Sequence, residues 1–146
     1  MESDCIFCKI VAGQIPCTKV YEDAQVMAFL DIGPIVKGHT LVIPKRHYDP
    51  ITGTPVEVLQ QLIAVVQKVA DAQYRGLRAD GINVTQANGR SAGQVVRHIH
   101  FHVIPRFETD GHHWNWVPKK YDSRDDMEQI AVGIRGAIES PGARAT

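Results

Sequence analysis

The stretch His98–Arg106, HIHFHVIPR, alternates imidazole and apolar side chains over its first six residues. Period two is the period of a strand with unlike faces, so His98, His100 and His102 point one way and Ile99, Phe101 and Val103 the other. The apolar row calls for a core on one side of a sheet, and the histidine row leaves the opposite side for chemistry. Neighbouring imidazoles on such a strand stand about 6.6 Å apart. That is too far for all three to reach one zinc at about 2.0 Å unless other elements help. A solvated polar face would account for one histidine, whereas three in register point to a site.

The sequence on either side supplies the rest of an antiparallel sheet. Lys19–Glu22 and Gln25–Leu30 read as strands joined by a turn at Glu22-Asp23, Thr40–Ile43 as a third ended by Pro44, and Gly81–Gln86 as a fourth. His98–Pro105 is the fifth. A short helix is expected over Cys5–Ala12, capped by Asp4 and stopped at Gly13. The long helix runs from Pro55 to about Arg75, with Thr54 as N-cap, Glu57 completing a capping box and Gly76 as the stop. Its Leu59, Leu62, Ile63, Val66 and Val69 recur at helical spacing. A last helix begins near Ser123, with Met127, Ile130, Ala131, Ile134 and Ile138 on one face, and the tail SPGARAT is expected to fray. The reading is one α+β domain over residues 1–146, with a core at about 5–106 and a C-terminal loop and helix at 107–146. The two apolar helices are expected to cover one face of the sheet.

Charge and composition narrow the function. Lys plus Arg and Asp plus Glu both number 16, so bulk charge does not call for a polyanion, and no nucleic-acid partner is expected. No apolar run approaches the roughly 20 residues that span a bilayer, and MESDCIFCKI lacks the build of a cleaved signal. Three cysteines, two of them as Cys5-x-x-Cys8, suit a reducing compartment and suggest metal or redox chemistry more than a disulfide framework. The expected setting is the cytoplasm.

Just upstream of the histidines lies NGRSAGQVV, Asn88–Val96, whose glycines at 89 and 93 can turn backbone amides towards an anion. By itself this reads more readily as a plain hairpin loop; placed a few residues before three histidines, it becomes a candidate phosphate cradle. HIHFHVI, the longer GQVVRHIHFHVIPR, FLDIGPIVKGHTLVIPKRH at Phe29–His47 and CIFCKIVAGQIP near the start together resemble the histidine-triad (HIT) family, in matching order over roughly Cys5 to Arg106. The zinc-binding Cys-x-x-Cys branch, related to the Hint branch, is the nearest likeness.

That resemblance implies a HIT-like fold, a five-stranded, mainly antiparallel sheet with one long and one C-terminal helix. It also implies a hydrolase or transferase acting at the α-phosphate of a purine nucleotide substrate, a nucleoside phosphoramidate or dinucleoside polyphosphate. His100 is then the nucleophile that forms a nucleotidyl-histidine, which fits a neutral imidazole with an ordinary pKa of about 6.5. His102 would protonate the leaving group or bond a phosphoryl oxygen, and His39 would assist. Amides around Gly93, Gln94 and Val95 would cradle the phosphate. Asp31 would hold the ribose hydroxyls, and Phe7, Ile10 and Ile15 either wall the purine slot or belong to the core. Two positions depart from the family. Ala87 stands where a polar Asn or Gln is common, and Asn88 beside it, kept as a nucleotide contact, would face the other way in an extended strand. Val95 stands where a Ser or Thr would offer its hydroxyl.

The resemblance gives His98 a separate task. With Cys5, Cys8 and His47 it would complete a Cys2His2 set for one structural zinc per chain. It further implies a homodimer joined sheet edge to sheet edge. The HHWNW segment, His112–Trp116, would be a loop over the site, a contact to a second subunit, or simply exposed.

Overall fold

A computed structural model describes residues 4–140 together with 142, so the expected fraying of the tail lies largely outside the described residues. They form two compact units, one ending at His112 and one beginning at His113.

In the first unit, helix α1 (Ile6–Val11) leads into strands β1 (Lys19–Glu22), β2 (Val26–Leu30) and β3 (Thr40–Pro44), then helix α2 (Val56–Leu77), β4 (Gly81–Thr85) and β5 (Phe101–Arg106). The five strands form one sheet in the order β1-β2-β3-β5-β4, and every pairing is antiparallel. β5, late in sequence, lies inside the sheet between β3 and β4. Leu41 and Thr85 flank His102 on its two sides.

The alternation in HIHFHVIPR is resolved as expected. Val26, Ala28, Val42, Ile99 and Val103 form one buried cluster with Leu62, Val65, Val66 and Val69 of α2. The intervening residues Met27, Phe29, Leu41 and Ile43 form a second cluster with Phe7 of α1 on the histidine face. Each large side chain buried this completely stabilises the fold by about 1.5–3 kcal/mol.

Several local expectations are corrected. β5 begins at Phe101 rather than His98, because the backbone ahead of it is engaged elsewhere: Ile99 N–H donates to the Tyr48 carbonyl at 2.7 Å. α1 is capped by Cys5, whose Sγ accepts from Cys8 N–H at 3.5 Å, and not by Asp4. Thr54 does not cap α2 either. Its hydroxyl donates to the Pro50 carbonyl at 2.9 Å, and Pro55 takes the capping position with no side-chain bond. α2 passes through Gly76 to Leu77 and ends on Arg78, left-handed at φ 58°. One glycine is under real steric demand: Gly38 has φ +99°, and a Cβ there would lie 2.7 Å from Leu77 Cδ1 and 3.1 Å from Pro105 Cγ.

The second unit carries helix α3 (Arg124–Glu139), capped by Ser123, whose Oγ accepts from Asp126 N–H at 3.0 Å. Within the first unit α2 covers the apolar face of the sheet, and α3 buries none of its own residues. Trp114 and Trp116 of this unit are 45% and 80% exposed.

Candidate active site

The histidine face holds a cavity of about 340 Å³. Its apolar wall includes Phe7, Ile10, Ile15 and Phe29, its polar end is Asp31, His100 and His102, and its lip is Gly93 and Val95. A larger groove of about 550 Å³ runs between β1 and the C-terminal half of α2, but its described walls contain no histidine or carboxylate. The titratable side chains therefore converge on the smaller cavity, where Phe7 meets His100 edge to face at 5.1 Å between ring centres.

Hydrogen bonds fix which nitrogen of each imidazole carries the proton. His100 Nδ1 lies 2.7 Å from the His98 carbonyl, which can only accept, so Nδ1 holds the proton and Nε2 keeps its lone pair. His100 is buried, and burial holds its pKa below the ordinary value, so at neutral pH the lone pair is available. Next to it a chain of bonds starts at a backbone amide, which can only donate. Ile35 N–H donates to His39 Nδ1 at 3.2 Å, so the His39 proton sits on Nε2 and is donated to His102 Nδ1 at 2.8 Å. His102 must then carry its own proton on Nε2. Burial, with the neighbouring His100 and His39, pushes the His102 pKa down to about 4. It is a neutral donor at pH 7.

Asp31, His39 and His102 bring ligand atoms within 4.8 Å of one another, as a metal site would. The same proton assignment argues against one. With Ile35 N–H on His39 Nδ1, a metal on Nε2 would require an imidazolate. The Asp31 carboxylate, 3.7 Å from His39 Nε2, also accepts from Gly33 N–H at 2.8 Å and faces the cavity.

A second cluster does fit a metal. Cys5, Cys8, His47 and His98 hold their four ligand atoms within 4.8 Å of one another. Cys5 Sγ to His98 Nδ1 is 3.4 Å, Cys8 Sγ to His47 Nδ1 is 3.5 Å and Cys8 Sγ to His98 Nδ1 is 3.7 Å. A tetrahedron with zinc bonds of about 2.3 Å to sulfur and about 2.0 Å to nitrogen has sulfur–nitrogen edges of about 3.5 Å. His98 Nε2–H donates to the Pro44 carbonyl at 2.8 Å, which leaves Nδ1 free to ligate and orients the ring, as metal-binding histidines require.

The glycine-rich loop brings Gly93 and Val95 to the lip of the cavity. Gly93 N–H donates to the Arg90 carbonyl at 2.9 Å and Gln94 N–H to that of Gly89 at 3.2 Å, so of the three cradle amides only that of Val95 has no backbone acceptor. The Gln94 side chain is turned inwards: its carbonyl accepts from Gly89 N–H at 2.7 Å and its amide donates to Asp49 at 2.7 Å. Asn88 points away from the cavity, accepting from Ile51 N–H at 2.8 Å. Asp49, the Ile35 amide and the Pro44 carbonyl escaped the sequence reading. Backbone groups leave no residue-type signal, and nothing in the spacing of Asp49 sets it apart from a surface aspartate.

The HIT domain pattern matches residues 12–109. An adenosine 5'-monophosphoramidase of Schizosaccharomyces pombe is 48% identical over 102 residues, covering 70% of this chain and 74% of that protein. The crystal structure of a HIT family member from Bacillus subtilis superposes with a TM-score of 0.86 at 41% identity, over 98% of this chain and 100% of that one. That of a zinc-bound histidine-triad protein from Mycobacterium smegmatis gives a TM-score of 0.73 at 40% identity, over 89% and 97%.

Proposed function

Because the chain belongs to the HIT domain family, we propose that it is a nucleotidyl hydrolase or transferase acting on purine nucleoside phosphoramidates through an intermediate on His100. The observation that carries this is the His100 tautomer, with Nδ1–H committed to the His98 carbonyl and Nε2 unprotonated at the polar end of a one-nucleoside cavity. Nε2 attacks the α-phosphorus and the bond to the leaving group breaks. Water then displaces His100 and releases the nucleoside monophosphate. Asp31 takes the ribose hydroxyls, and Phe7, Ile10 and Ile15 hold the base. For His102 the tautomer favours one of its two expected roles. As a neutral imidazole it bonds a phosphoryl oxygen through Nε2–H, because giving that proton away would leave an anion. The name of the Schizosaccharomyces pombe relative, a monophosphoramidase, supports this substrate class over dinucleoside polyphosphates.

Zinc at Cys5, Cys8, His47 and His98 is structural in this reading, since four protein ligands leave no open position. When bound it would tie α1 to the segment ahead of β5. The same reading takes the protein as a cytoplasmic homodimer joined sheet edge to sheet edge through β4, one of the two terminal strands, where Val84 is 45% exposed. No described helix is long and apolar enough to cross a membrane.

The test is mass spectrometry of enzyme quenched soon after mixing with an adenosine phosphoramidate. It should find AMP on the peptide containing His100, and His100→Ala should lose turnover by more than about a thousandfold. Wild-type turnover by that variant would sink the proposal. One observation favours a second reading, a purine-nucleotide-binding module with little turnover: two of the three cradle amides are engaged internally. That reading predicts AMP binding without product.

A further inference from the structure

Asp49 is not among the described residues that line the cavity, and its side chain is only 8% exposed. A carboxylate shut away from water loses solvation that only good hydrogen bonds repay, so its partners indicate its task. Its Oδ1 accepts from the side-chain amide of Gln94 at 2.7 Å, and Arg97 Nε lies 3.3 Å from Oδ2. The Arg97 side chain is 74% exposed, so water screens that pair and it contributes little. Gln94 is buried, and its bond to an ionised acceptor is the stronger of the two.

Gln94 in turn fastens the glycine-rich loop. Its side-chain carbonyl accepts from Gly89 N–H at 2.7 Å, its backbone N–H donates to the Gly89 carbonyl at 3.2 Å, and its side-chain amide also donates to the Val96 carbonyl at 3.0 Å. A carboxylate only accepts, so Asp49 requires the NH2 end of Gln94 and turns the carbonyl end to Gly89. Gly89 and Gly93, at φ +82° and +87°, let the loop bend but give it no stiffness of its own. Val95 sits between the two fastened residues, at the lip of the cavity, and its N–H is the one cradle amide without a backbone acceptor. The residue next to Asp49 ties the same stretch to the nucleophile: the Tyr48 carbonyl accepts from Ile99 N–H at 2.7 Å, between His98 and His100.

We infer that Asp49 is a positioning residue for nucleotidyl transfer: through Gln94 it holds the glycine-rich loop so that Val95 N–H meets the phosphoryl oxygen that gains charge as His100 attacks. The inference rests on the nucleotidyl-transfer reading above and adds the residue that orders the loop. Asp49 touches neither the substrate nor the reacting atoms, and it gains and loses no proton in the transfer. A backbone donor aimed at developing charge is worth a factor of about 100 to 1,000 in kcat, and a loop free to shift forfeits part of that. Binding of the nucleoside is affected less, because Asp31 and Phe7 meet it from other elements.

The test measures kcat and KM for an adenosine phosphoramidate on the full-length protein, together with amide exchange by NMR, in variants whose zinc content equals that of wild type. Asp49→Ala should lower kcat by about 10- to 100-fold while KM stays within about threefold. Asp49→Asn keeps an oxygen for Gln94 and should hold kcat within about fivefold of wild type. Exchange of Gly89 N–H should be at least about tenfold faster in Asp49→Ala and close to wild type in Asp49→Asn. Combining Asp49→Ala with Gln94→Ala should cost no more than about twofold beyond the slower single variant, as for two members of one chain of bonds. Should Asp49→Ala not fold, Asp49→Ser, whose hydroxyl stops one bond short of Gln94, carries the same expectations. Wild-type kcat in the alanine variant, losses that multiply in the double variant, or an Asp49→Asn as slow as Asp49→Ala would each overturn the inference and leave the transfer reading standing. Absence of both adduct and turnover in wild type defeats the two together.

Discussion

Replacing His39 tests whether a residue outside the cavity lining sets the protonation of one inside it. His39 is 3% exposed and makes two bonds, accepting from Ile35 N–H at 3.2 Å and donating to His102 Nδ1 at 2.8 Å. Phenylalanine keeps a planar ring, somewhat larger than imidazole, but offers neither bond. His39→Phe therefore removes two hydrogen bonds and leaves a part-buried donor and acceptor unpaired, a loss of about 2–4 kcal/mol. For a chain of this size that lowers Tm by about 5–15 °C. The chemical effect is separate. Without the donor on Nδ1, His102 is no longer obliged to keep its proton on Nε2, and the bond to the phosphoryl oxygen weakens. A drop in kcat of about 10- to 100-fold is expected, as for other partners that orient a functional imidazole.

Nitrogen-15 NMR of the histidine rings reads the cause directly. In wild type His102 should show a protonated Nε2 and an unprotonated Nδ1, and in His39→Phe a mixture. His39→Gln, whose terminal amide can donate from near the Nε2 position, should restore most of the tautomer and part of kcat. If His39→Phe kept both the wild-type tautomer and the wild-type kcat, the relay from Ile35 would have no functional meaning.

Two further outcomes follow from the buried histidines and the thiols. The His102 pKa is about 4 in the fold against 6.5 ordinarily, so between those values the unfolded chain binds more protons than the folded one. This stability is fully present above pH 6.5 and is lost as pH falls towards 4, by no more than about 3 kcal/mol; denaturant unfolding across that window should show the slope, and His102→Gln should flatten part of it. Protein purified without chelators should carry about one zinc per chain, and Cys8→Ser should lose it along with several degrees of Tm. Metal-free wild type from such a preparation would remove the case for the site.

The sheet, its strand types and the two faces of the His98–Val103 segment were legible because period two is a strong signal and the core enforces it. Ends were less so. Thr54 and Asp4 are good caps by type, yet the Thr54 hydroxyl was claimed by the Pro50 carbonyl and the cap of α1 fell to Cys5. The grouping of Cys5, Cys8, His47 and His98 was legible through a family likeness and not through spacing, since the four converge only in three dimensions. The proton assignments could not be read at all. They depend on main-chain groups at Ile35, Pro44 and His98, which every sequence possesses.

The segment from His98 to Val103 carries its imidazoles on even-numbered positions and its core contacts on odd ones. Such a segment can change by substitution, one face at a time, but it has no tolerance for a change in length. Deleting or inserting a single residue near Ile99 would rotate everything before or after it by one face, sending an imidazole into the α2 core and an isoleucine or valine into the cavity. A change of length inside this segment would therefore cost the core and the cavity together, where a substitution costs one of them.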